Sequence, residues 1–183
     1  DQYFALNPLS LSRGARILDA GCGTGLLTLA LLRAIRFPVK VTALDLSATS
    51  IVEAKKAISQ SPGRPRDVSF TQANVLSLPF ADNSFDLVVT SGALEYVPLK
   101  EGLDELARVI APEGHLLHLP CRPTPASAFL EILFRFKSHS PRAVLQNTER
   151  HFRVVHHYRF RPFEIIGWSK SAILAQKTLS PLI

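Results

Sequence analysis

The chain has 183 residues, no methionine, two cysteines and one tryptophan. It also has no apolar run near the roughly 18 residues that a bilayer-spanning helix needs, and no basic-then-apolar start of the signal-peptide kind. Two cysteines exclude a disulfide scaffold. Cys22 lies in a glycine-rich turn and Cys121 at the end of an apolar run, contexts that suit free thiols in a reducing compartment, so a cytoplasmic protein is expected. The missing methionine, at position 1 included, leads us to expect an excised or processed part of a longer chain. Charge of one sign is scarce in places. Residues 1–121 hold 11 Lys/Arg against 12 Asp/Glu, net −1, whereas residues 122–183 hold 10 against 3, net +7. With 46% apolar residues, a chain of this length buries about 70% of its unfolded surface and needs neither metal nor disulfide to hold a core. One domain over 1–183 is expected, with an N-terminal segment at 1–14 and a substrate-side insertion at 122–151.

What is present centres on Ile17-Leu18-Asp19-Ala20-Gly21-Cys22-Gly23-Thr24-Gly25. An apolar run ends in a carboxylate and is followed by glycines at alternate positions, a buried strand turning sharply into the helix former run at 26–35. The helix's first amides then face whatever occupies the turn, which is the geometry of a nucleotide-type corner. The spacing G-x-G-x-G departs from the dinucleotide pattern G-x-G-x-x-G, and no Gly-Lys-Ser/Thr follows to hold a triphosphate. A carboxylate at Asp19 repels a diphosphate and suits a ligand carrying ammonium or sulfonium.

Asp19 to Gly25 resembles the first motif of the class I S-adenosylmethionine-dependent methyltransferases. The resemblance continues in Val41–Ser47, similar to that family's second strand with its ribose-holding acid, and in Gln72–Phe80, similar to its adenine-contacting turn. Asn83–Ser91 resembles the fourth strand, and Leu103–Gly114 the helix and turn before the fifth. It covers roughly residues 15 to 120. It implies a doubly wound α/β fold: a mostly parallel, seven-stranded, Rossmann-like sheet with an antiparallel C-terminal strand. The implied activity moves a methyl group from S-adenosylmethionine, leaving S-adenosylhomocysteine, to a small-molecule or lipid-like acceptor by in-line displacement. The implied cofactor-binding residues are Asp19, Gly21, Cys22, Gly23, Gly25, Asp45, Leu46, Asn74, Val75 and Ser91. Asp45 falls 20 residues after Gly25, where a carboxylate at the end of the next strand can accept two ribose hydroxyls. Many relatives carry Asp where this chain has Asn74, which still accepts through its carbonyl oxygen but without charge; a simple turn Asn is the alternative.

Glu95 is the candidate catalytic residue, orienting the acceptor; the alternative is a loop carboxylate paired with Lys100 or Arg108, and Tyr96 is expected to be buried. Tyr3 either covers the cofactor or packs on the sheet edge. Pro38 is expected to end the first helix, and Ser47 to cap the second. No metal site is expected: His115 and His118 lack ligand spacing, and His156 and His157 are adjacent strand residues facing opposite ways. Residues 127–137 read as a helix with a wide apolar surface. Together with Arg135, Lys137 and Arg142 it suits an amphiphilic, anionic acceptor, a peripheral membrane contact or an oligomer contact through 129–136; a solvated basic face over an ordinary core helix is the alternative. Neither a base-methylating signature nor an RNA-binding module is recognisable, so nucleic acid is not the expected partner. Two rival functions stay open, a noncatalytic module of this fold partnering an active subunit and a nicotinamide-dependent reductase.

Overall fold

A computed structural model describes residues 11–61, 67–121, 131, 136–159 and 171–178. Expectations for Tyr3 and most of the 127–137 helix, with its membrane or oligomer role, lie outside the described residues.

Seven strands make one sheet in the order β3-β2-β1-β4-β5-β7-β6. They are β1 (Arg16–Ala20), β2 (Lys40–Asp45), β3 (Asp67–Gln72), β4 (Phe85–Ser91), β5 (Ile110–Leu119), β6 (Phe152–Arg159) and β7 (Ser171–Lys177). The first five are mutually parallel, and β7 runs antiparallel to both β5 and β6. Parallel neighbours require crossovers, supplied here by α1 (Leu26–Ala34), α2 (Ala48–Gln60) and α3 (Leu99–Val109). A short helix, α4 (Pro141–Thr148), precedes β6.

The central strands read as apolar runs because both faces are covered. Alternation along β1 and β4 sends Leu18 and Val88 into one cluster with Leu103, Leu106, Val144 and Phe152, from α3, α4 and β6. It sends Ile17, Leu87 and Val89 into the opposite cluster, with Ala30, Leu31 and Leu32 of α1. On that second side Ala54 of α2 packs with Ala43 of β2 and Cys22. Burying a Leu or Ile side chain is worth about 1.5–3 kcal/mol, so these two layers supply most of the favourable energy of folding.

Two boundaries differ from expectation. Helix α1 ends at Ala34, where Ile35 turns extended (φ −87°, ψ 118°), three residues before Pro38. The Pro38 carbonyl instead accepts the Gly14 amide at 2.7 Å, tying the entries of β1 and β2 together. The turn expected at the end of Leu103–Gly114 is a bulge inside β5: Phe85 pairs with Ile110 and Leu87 with His115, and Glu113 takes φ 62° to absorb the extra residues. Ser47 caps α2, its hydroxyl accepting the Ser50 amide at 3.2 Å.

Strand order reverses between β1 and β4. The crevice beyond their carboxyl ends is where open α/β sheets bind ligands, and the loops after β1, β2, β3 and β4 all emerge there.

Candidate functional site

The turn after β1 is built by backbone bonds that use its glycines. The Gly21 and Cys22 amides both donate to the Leu44 carbonyl at 2.8 Å, which fastens the turn to the end of β2. Gly21 has φ 79°, and a Cβ there would stand 2.2 Å from the Cβ of Ala93, so it lets the β4 exit loop close over the turn. Gly23 also has positive φ, yet a Cβ there would meet nothing within 4 Å. Its side-chain position is open. Gly25, with φ 85°, starts α1.

Asp45 ends β2 and braces this turn. Its Oδ2 accepts the Gly23 amide at 2.8 Å, and its Oδ1 accepts the Ser47 amide at 2.9 Å. Each carboxylate oxygen has a further lone pair, so two hydroxyls can still be accepted. Leu46 follows and is 66% exposed, an apolar surface beside the carboxylate. Asn74 is exposed, with its Oδ1 accepting the Leu76 amide at 2.9 Å. That makes it a turn residue in this structure, and its Nδ2 group lies outside that bond. Val75 is buried beneath the turn. Ser91 ends β4 and is exposed on the same rim.

Asp19 stands apart from the open rim: it is fully buried. Thr28 of α1 donates its hydroxyl to Oδ2 at 2.5 Å, while Oδ1 has no partner. Burial pushes this carboxyl up to about 6, against the pull of the Thr28 hydrogen bond. Cys22 is also buried. Burial, with the charges of Asp19 and Asp45, pushes its thiol up to about 12, so it is a packing residue and no nucleophile. Both cysteines are free thiols.

These residues fit the cofactor that the resemblance implies. A Cβ-free, open position at Gly23 admits close approach, and Asp45 offers two acceptors to a diol. The orphaned Asp19 Oδ1 is an unspent anionic atom under the turn, of the kind that a cationic ligand would satisfy. A buried polar atom left alone costs about 1–3 kcal/mol, so it calls for a partner.

Across the crevice, a one-turn 3-10 helix at Leu94–Tyr96 leaves β4. Glu95 is 3% exposed, its Oε1 accepting the Cys121 amide at 2.6 Å and its Oε2 without a partner. Burial raises the Glu95 carboxyl above the usual range. The alternative pairing with Lys100 or Arg108 does not occur. Lys100 pairs with Asp104 at 2.7 Å, and Arg108 binds Glu105 and Asp82. Tyr96, expected inside, is 59% exposed and leans on the Phe136 ring at 5.9 Å. The tight 3-10 turn points Leu94 and Glu95 inward and leaves the third residue outside.

Three features escaped sequence reasoning. Thr28 is a lone hydroxyl among the leucines of α1, a visible signal. Arg108 reaches the carbonyls of Leu78 and Phe80 while Glu105 accepts the Leu78 amide at 2.7 Å, so α3 anchors the far end of the 74–80 turn. His118 and Thr90 are fully buried with unpartnered polar atoms. His118 reads as an ordinary strand residue in sequence, and only the β4–β5 register sets it beside Thr90. Among the described residues no group of three His, Cys, Asp or Glu side chains is arranged to hold a metal, and no helix is long and apolar enough to cross a membrane.

A methyltransferase-domain family model matches residues 17–114. The chain is 32% identical over 174 residues to a demethylmenaquinone methyltransferase of Corynebacterium glutamicum, covering 92% of this chain and 67% of that one. It is 37% identical over 112 residues to a demethylmenaquinone methyltransferase of Lactiplantibacillus plantarum, covering 61% of this chain and 47% of that one. The match thus spans about half to two thirds of these curated relatives' length. In fold, it is similar to a geranyl diphosphate C-methyltransferase from Streptomyces coelicolor solved with Mg2+, geranyl diphosphate and S-adenosyl-L-homocysteine, with a TM-score of 0.77, 19% identity, and 96% of this chain and 78% of that one covered. A SAM-dependent methyltransferase from Methanosarcina mazei gives a TM-score of 0.72 at 24% identity, with 93% and 95% covered.

Proposed function

This chain belongs to the class I S-adenosylmethionine-dependent methyltransferases, and from that premise we propose that it methylates carbon on a small, largely apolar acceptor of the prenylated quinol type. The single observation that carries the cofactor half of this reading is the Asp45 carboxylate. It bridges the Gly23 and Ser47 amides beside the open flank of Gly23, so one residue both shapes the turn and offers acceptors to a ribose. The names of the relatives support the acceptor half, two of them demethylmenaquinone methyltransferases. Under this reading Gly21, Cys22, Gly23 and Gly25 form the cradle, Asp19 faces the cationic end, and Leu46, Asn74 and Val75 border the base. Ser91 and Glu95 stand on the acceptor side.

The bound cofactor would supply an electrophilic methyl on sulfonium. The protein's own task is then placement: holding acceptor and donor in line can lower a barrier by up to about 7–11 kcal/mol. The described strands form one continuous sheet, and we take residues 1–183 as one domain. Free Cys22 and Cys121 fit a reducing compartment, the cytoplasm.

Isothermal titration with S-adenosylhomocysteine and, separately, NADH tests the cofactor half; the first should bind and the second should not. Mass analysis of a short-chain demethylmenaquinol incubated with enzyme and S-adenosylmethionine should then find one added methyl. Binding of NADH alone would return the chain to the reductases. Binding of S-adenosylhomocysteine with no methylation of quinols would leave a noncatalytic module or another acceptor.

A further inference from the structure

Four side-chain polar atoms on the acceptor side of the crevice are buried without a hydrogen-bond partner: Glu95 Oε2, Thr90 Oγ1 and both ring nitrogens of His118. They lie in one neighbourhood. Thr90 and His118 are register partners on β4 and β5, on the sheet face that carries Val88 and Leu116. Glu95 follows four residues after Ser91, and its Oε1 holds the amide of Cys121, three residues beyond His118. His139 lies near both, with a ring nitrogen 3.2 Å from the Leu94 carbonyl and its ring close enough to act electrostatically on Glu95 and His118.

Native interiors keep few such atoms, and four together at the carboxyl ends of β4 and β5 and the turn that follows mark a place built for a ligand. Their chemistry describes that ligand. A carboxylate accepts, a hydroxyl does both, and an imidazole kept neutral by burial offers one donor and one acceptor. A neutral ring bearing hydroxyl donors satisfies this set. A diphosphate does not, because it would meet the Glu95 carboxylate with only His139 among these residues able to carry positive charge.

We propose that Glu95, Thr90 and His118 form the polar end of the acceptor pocket, where Glu95 takes a hydroxyl proton of a dihydroxyaromatic ring as a ring carbon takes the methyl group. This rests on the methyl-transfer reading above. The O–H pair moves into the ring, the new C–C bond forms as the carbon–sulfur bond breaks, and the latter's electron pair stays on sulfur. The ring carbon then loses its own proton to water, and the Glu95 carboxyl returns the first proton to oxygen. One proton is released in all, and nothing is oxidised. Residues 136–140 lie against the Glu95 turn, held by the Lys137 amide on the Glu95 carbonyl at 2.9 Å, by His139 on Leu94, and by Phe136 on Tyr96.

Wild type, Glu95→Gln and Thr90→Val, assayed with S-adenosylmethionine and a short-chain demethylmenaquinol, test the assignment. Glu95→Gln keeps an acceptor for the Cys121 amide and should fold. It should bind S-adenosylhomocysteine within about twofold of wild type, yet lose about 100-fold or more in kcat, the scale of a lost general base. The acidic limb of the wild-type kcat profile, set by Glu95 among His118, His139, Cys121 and Tyr96, should vanish with it. Thr90→Val should raise KM about 5- to 10-fold, the cost of one hydrogen bond, with kcat little changed. Wild-type kcat in Glu95→Gln overturns this inference alone, as does a loss of cofactor affinity that parallels the loss of rate. Methylation of geranyl diphosphate in place of the quinol overturns the neutral-ring assignment. A wild type that methylates neither overturns the functional reading and this inference with it.

Discussion

Asp19 leads into the glycine turn and Asp45 braces it from the end of β2, and their surroundings set the two carboxylates to different work. Asp45 is part-exposed and spends its oxygens on backbone amides while keeping lone pairs for a ligand. Asp45→Ala should weaken S-adenosylhomocysteine binding by about 1.5–3 kcal/mol, read by calorimetry, with the fold retained. Asp19 is sealed, and its carboxyl is raised to about 6 from an ordinary 3.8. A carboxyl raised in the folded state stabilises the fold below its unfolded value, and that contribution is lost as pH rises through about 6. Asp19→Asn keeps an oxygen for the Thr28 hydroxyl and removes the buried charge. It should therefore be more stable than wild type at pH 8, by up to about 3 kcal/mol, with the gain shrinking as pH falls from about 6 and gone below about pH 4. Urea titrations at the two pH values measure this. The same variant should bind the cofactor more weakly, and unchanged affinity at pH 8 would take Asp19 out of the site.

At the scale of elements, the glycine turn holds two positions that look alike in sequence and differ in space. Gly21 faces Ala93, where a Cβ would need 2.2 Å, and Gly23 faces open space. Gly21→Ala should drive the β4 exit loop off the turn and cost several kcal/mol of stability, on the order of other overpacked or strained sites. Gly23→Val should lose only about 1–3 kcal/mol through its positive φ while abolishing detectable cofactor binding. Thermal melts and calorimetry on the pair separate the two effects. Comparable stability losses with both variants still binding would mean that the turn does not cradle the ligand. The second brace on the site is α3, whose Arg108 and Glu105 hold the backbone at Leu78 and Phe80 and so fix the turn that begins at Asn74.

Across the whole molecule, the C-terminal strands complete the layer under α3 and α4. Phe152 of β6 is fully buried in the cluster that holds Leu106, Val144 and Ile173. Phe152→Ala should cost about 3–5 kcal/mol in urea unfolding, a large part of a typical domain's 5–15. A loss under 1 kcal/mol would mean that the β6–β7 pair packs loosely on the core. The parallel sheet, its helices and the rim carrying Gly21, Gly23, Asp45 and Asn74 were legible in the residues themselves. Apolar runs, helix formers and glycine spacing are local properties, and a βαβ crossover has one favoured hand, so local order dictates which loops share an edge. What local pattern does not carry is burial and register. Whether Asp19 is sealed by Thr28, whether Tyr96 turns outward, whether Thr90 stands beside His118 and whether Glu95 reaches the Cys121 amide all depend on strands and helices far apart in the chain. The tertiary structure decided those, because desolvation and hydrogen-bond partners belong to the space around a side chain and not to its neighbours in sequence.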